Sequence, residues 1–74
     1  MPVLQRFGGF VIRMYFEDHN PPHVHVVGPD FEARVAIGDF AILEGEILSK
    51  FSREALDWIA ANKTFLLAKW EEMR

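Results

Sequence analysis

Between Val3 and Ile37 the chain reads as apolar residues alternating with polar ones, broken three times by turn-forming residues. No feature restricts its fold more. In "FVIRMYFE" the residues Phe10, Ile12, Met14 and Phe16 alternate with Val11, Arg13, Tyr15 and Glu17. A period of two places one set on each side of a β-strand and predicts one buried face. The preceding run, "VLQRF", alternates poorly because Gln5 would share a face with Val3 and Phe7, so it reads as an edge strand. Gly8-Gly9 between the runs supplies the backbone freedom of a tight hairpin turn.

A second pair follows. "HVHVV-GPD-FEARVAI" holds two alternating runs around Gly, Pro and Asp. A turn over Gly28 to Phe31 sets Val27 opposite Glu32, Val26 opposite Ala33, His25 opposite Arg34 and Val24 opposite Val35. Residues directly opposite in an antiparallel pair share a face. Val24, Val26, Ala33 and Val35 are therefore expected inside, and His23, His25, Glu32 and Arg34 outside. A slip of one residue would exchange the two sets, so the agreement of both strands supports the register.

"GDFAILEGEI" adds a short fifth strand. Beyond it, Ser49 or Ser52 is placed to cap a helix running to about Met73. Phe51, Ala55, Leu56, Ile59, Leu66, Trp70 and Met73 form its apolar arc, and Arg53, Asp57, Thr64 and Glu71 its wet side. Asn62-Lys63-Thr64 is where the helix would kink or divide. The expected fold is α+β: an antiparallel sheet of four to five strands, made of two hairpins, with one C-terminal helix packed on one face.

With 74 residues there is room for a single domain. A chain this short hides only about 60% of its unfolded surface. It needs a dense core or a partner, and its 50% hydrophobic content, with seven Phe and two Trp, can serve either. A homo-oligomer is compatible with that surplus. The chain has no cysteine, hence no disulfide or thiolate metal site, which fits a reducing cytoplasm. "MPVLQRFGGF" has no signal-peptide pattern, and no stretch nears the ~18 apolar residues of a membrane span. A net charge of −3 argues against broad attraction to nucleic acid, though not against a local basic face.

"EDHNPPHVHV" gathers all three histidines into ten residues. On a strand, His23 and His25 project from one face about 6.5 to 7 Å apart along the backbone. Arg13, Tyr15 and Arg34 are expected beside them, with Asp18, His19 and Asn20 on the adjoining loop. Four readings compete. The structural one makes these exposed strand histidines beside an ordinary Asp/Asn/Pro turn. A metal site is another, since two histidines and a carboxylate can ligate zinc, but HxH alone is a weak signal and a fourth ligand is not assured. In acid–base chemistry, one imidazole takes the 2′-hydroxyl proton of RNA and the other protonates the leaving oxygen. Arg13 or Arg34 holds the phosphate, and neither metal nor cofactor is required. The last reading is a protein-docking surface. Trp58 and Phe65, on one edge of the helical arc, are core residues or a second docking edge.

"RFGGFVIRMYFEDHNPPHVHV", "LEGEIL" and the helix bearing Trp58, Leu66-Leu67 and Trp70 together resemble the small bacterial domain-of-unknown-function family numbered 4160. The resemblance implies a standalone bacterial protein encoded beside a second small protein that can carry a DNA-binding segment. That arrangement looks like a type II toxin–antitoxin module with this chain as the toxin-like partner. The expectation is then a cytoplasmic toxin-like component, a histidine-dependent ribonuclease using His23, His25, His19, Asp18, Arg13 and Arg34. Its partners would be a cognate small antitoxin-like protein and RNA, with no membrane. The rivals are a non-enzymatic binding partner of a neighbouring regulator and a His-based metal-binding module. The acidic balance weakens the ribonuclease reading.

Overall fold

A computed structural model of the chain describes residues 3–15 and 19–73. Five strands form one antiparallel sheet in sequential order: β1 (Val3–Arg6), β2 (Val11–Arg13), β3 (His23–Val27), β4 (Glu32–Ala36) and β5 (Ile42–Gly45). Two helices follow, α1 (Ser49–Ala61) and α2 (Lys63–Glu72). The architecture is α+β, as the alternation requires.

The Gly8-Gly9 hairpin closes with the Phe7 amide donating to the Phe10 carbonyl at 2.8 Å. A Cβ at Gly9 would run into the Phe51 ring, so this turn lies directly against α1. The poor alternation of the first strand has a structural cause: Val3 pairs with Arg13 but Gln5 pairs with Ile12, so Leu4 is an extra residue in a β-bulge. That bulge lets Leu4 pack against the core from an edge strand.

β3 and β4 adopt the expected register, with Val24 opposite Val35, His25 opposite Arg34, Val26 opposite Ala33 and Val27 opposite Glu32. The Gly28 amide donates to the Phe31 carbonyl across the turn. Ile12, Met14, Val24, Val26, Ala33 and Val35 are fully buried and make the sheet's half of the core. From the helices come Ala55, Ile59, Leu66, Trp70 and Met73, while Arg53, Asp57, Thr64 and Glu71 are exposed. Both sides of the amphipathic assignment hold.

Two details of the helix differ from expectation. Neither serine caps it: Leu48 is the N-cap residue and makes no side-chain cap bond, while Ser49 is already helical. There are two helices rather than one, divided at Asn62, within the stretch where a kink or division was expected. Its side-chain amide donates to the Trp58 carbonyl at 2.8 Å and its backbone amide points at the same carbonyl, ending α1. Its own carbonyl accepts the Leu66 amide at 2.8 Å, starting α2. An asparagine side chain that competes for backbone groups explains the break.

Gly45 has φ +75°, and a side chain there would meet the Glu32 carbonyl, which also accepts the Glu46 amide at 3.3 Å. Gly45→Ala is expected to destabilise the fold by about 1–3 kcal/mol. Gly38→Ala, with open space around it, should change little. Urea denaturation midpoints of the two variants check this contrast.

Candidate functional site

Strand pairing places Arg13, His25, Arg34 and Glu44 in one row across β2, β3, β4 and β5. His23 precedes this row by two residues, opposite Ala36. His23 and His25 thus share a face with Arg13 and Arg34, as the alternation predicted. Their imidazole centroids are 5.1 Å apart.

The face is not open, and this corrects the expectation that both rings are exposed. His23 is 1% exposed and His25 7%. Tyr15 lies against His25 with ring centroids at 4.1 Å, and Trp70 of α2 lies against His23 at 5.2 Å. Tyr15, His25, His23 and Trp70 therefore form a continuous chain of rings. Strand periodicity decides which face a residue occupies; a side chain arriving from a distant helix decides whether that face is wet.

Hydrogen bonding restricts the rings further. His23 Nδ1 lies 2.8 Å from the Pro21 carbonyl oxygen. A carbonyl can only accept, so Nδ1 carries the hydrogen and is not a free base. His25 Nδ1 lies 3.4 Å from a Glu32 carboxylate oxygen, an ion-pair contact when the ring is protonated. Arg34 is taken up by Glu44 at 2.8 Å. His19, on the loop before β3, is exposed and stands apart from this packing as the most accessible imidazole. Arg13 is half-buried in the row, and its Nε atom has no hydrogen-bond partner among the described residues. Asp18 lies outside the described residues.

A hollow of about 310 Å³ opens beside this row, lined by His25, Glu32, Ala33, Arg34, Glu44 and Gly45. Across it Glu44 takes up the Arg34 guanidinium and Glu32 lies against His25 Nδ1, so the polar groups that line it contact one another. Among the described residues no group of three or more His, Cys, Asp or Glu is placed to hold a metal ion. His23 and His25 do come together, but in a buried packing position rather than at an accessible reaction centre.

A second hollow, of about 370 Å³, was not foreseen. Pro21, Pro22, Ala36, Gly38, Asp39, Leu43 and Leu67 line it, joining the loop before β3, the β4–β5 turn, β5 and α2. Next to it Ile42 and Leu43 are 45% and 42% exposed on the edge strand. The signal available in the sequence was the unbroken "FAIL" run that leads into a short last strand. Of the two aromatic residues considered for docking, Trp58 packs edge-on against Phe7 at 6.2 Å, whereas Phe65 is 51% exposed.

The family model described as "Domain of unknown function (DUF4160)" matches residues 9–71. The chain belongs to this family. The match begins at Gly9, inside the first hairpin turn, and takes in the histidine segment, β5 and nearly all of both helices. No curated protein and no solved structure matches the chain. Among the described residues no helix is long and apolar enough to cross a membrane.

Replacing a buried imidazole that packs on Trp70 removes both a hydrogen bond and ring contacts. His23→Ala should cost about 2–4 kcal/mol of stability and alter the tryptophan emission. His19→Ala, at an exposed loop position, should stay within about 0.5 kcal/mol of the parent. Thermal melts followed by fluorescence check both.

Proposed function

We propose that this chain is the toxin-like component of a two-gene module in the bacterial cytoplasm, and that it acts by binding a small cognate regulator rather than by histidine catalysis. The observation carrying this reading is the contrast between its two surfaces. The imidazole pair is buried under Tyr15 and Trp70, with only His25 reaching a hollow of charged lining, whereas the apolar residues Ile42 and Leu43 stand exposed beside a hollow of mostly apolar lining.

Cleavage of RNA by an imidazole pair requires one ring to reach the 2′-hydroxyl and the other the leaving oxygen, each within hydrogen-bond distance. A ring 1% exposed, with Nδ1 committed to a main-chain carbonyl, does not meet that requirement. Protein binding asks instead for accessible apolar area with a polar rim. A small domain with limited core is well suited to complete its apolar burial with a partner.

One observation favours the ribonuclease as a second reading: the His25–Arg34 row borders an open hollow. The experiment distinguishes the two. The chain is co-expressed with the product of its neighbouring small gene, and the purified protein is separately incubated with RNA. Expected are a stable complex on size-exclusion chromatography, retained in His25→Ala, and intact RNA. Absence of a complex overturns the binding role. RNA cut by the parent and spared by a folded His25→Ala variant would put the ribonuclease in its place.

A further inference from the structure

Resting on the binding role just described, we infer that the hollow beside β5 takes one large aliphatic side chain from an extended segment of the partner, and that basic residues flank that side chain. The floor and walls are aliphatic: Pro21, Pro22, Ala36, Leu43 and Leu67. Such a lining rewards removal of apolar surface from water and offers few polar groups to an uncharged polar ligand.

The rim decides what lies beside that side chain. Asp39 lines the hollow, Glu44 follows on β5 and Glu46 just beyond it, and Glu32 lies on the neighbouring strand, all of them exposed. Against these four carboxylates stand Arg34, which pairs with Glu44, and Lys63, which donates to the neutral Gly38 carbonyl at 3.0 Å and keeps its charge, so the carboxylates remain in excess. The surface is left acidic, and complementarity favours a partner bearing lysine or arginine.

The same charges argue against a second copy of this chain as the occupant. Two β5 edges brought together would bring Glu44 and Glu46 of one copy close to those of the other, and opposed like charges destabilise strand pairs. β5 also carries a bulge, since Arg34 pairs with Glu44 and Val35 with Ile42, leaving Leu43 as the extra residue. A short, bulged, acidic edge resists open-ended self-pairing. The outer side of β5 has no strand beside it among the described residues, and a basic, extended segment can lie there while inserting one side chain beside Leu43.

Amide NMR of the full chain tests the inference with a short peptide alternating lysine with leucine and with its counterpart bearing glutamate in place of lysine. Expected are shifts at Ala36, Leu43 and Leu67 with the lysine peptide. Binding should weaken about tenfold or more for the glutamate peptide and for Leu43→Asp, and Phe65→Ala should bind as the parent does. Glu46→Lys, which leaves the hollow intact, should weaken the lysine peptide alone. Equal binding of both peptides, binding of neither, or shifts centred on Phe65 overturns the inference. The genuine partner separates the two levels. Full capture of the partner by Leu43→Asp refutes this surface and leaves the binding role standing. No capture by the parent, with peptide binding intact, refutes the binding role and leaves the surface.

Discussion

The whole structure depends on β3 being buried on both faces. Val24 and Val26 point into the core at 0% exposure, yet the alternate residues His23 and His25 are hidden almost as fully. A central strand with polar residues on its second face needs partners for them, because burying an imidazole without compensation is costly. Pro21 provides a carbonyl for His23, Glu32 a carboxylate near His25, and Tyr15 and Trp70 provide flat rings. Histidine suits such a position: its ring stacks like an aromatic residue while its nitrogens satisfy local polar groups.

Trp70 can occupy that place because the C-terminal helix is divided. An uninterrupted helix of this length would hold one straight apolar arc over the sheet. Asn62 ends α1 through two contacts to the Trp58 carbonyl and begins α2 with its own. After this break Leu66 and Trp70 are buried, and Leu67 borders the second hollow. The break therefore bears on both surfaces at once: α2 brings Trp70 to the histidines and supplies one wall of the docking hollow.

This division also explains what could be read in advance. The strand register, the Gly-Gly and Gly-Pro-Asp turns and the apolar helical positions were all legible, because each is set by spacing within a few residues. The positions of His23 and His25 on one face were legible for the same reason. Their burial was not: His23 is covered by Trp70, 47 residues away in sequence, and His25 by Tyr15 from the connection after β2. Likewise Ser49 looked like a cap, but chain geometry made Leu48 the cap residue instead. The hollow lined by Pro21, Leu43 and Leu67 draws on three distant segments, of which only the Leu43 wall had a local signal, the apolar run that leads into β5.

The turn between β4 and β5 ties these parts together. Phe40 has φ +63°, a left-handed conformation that costs a non-glycine residue about 1–2 kcal/mol. Its amide donates to the Ala36 carbonyl, the Ala41 amide donates to Asp39, and its ring packs on the core. Lys63, at the start of α2, holds the Gly38 carbonyl and places its ammonium 5.7 Å from the centre of the Phe40 ring. A turn restrained from both sides fixes Gly38 and Asp39 relative to Leu67. The hollow is thereby shaped before anything enters it, and little ordering cost remains for a ligand to meet. Strain at Phe40 is understandable on that basis: a glycine would relax the backbone, but it would surrender the ring that anchors the turn to the core and to Lys63.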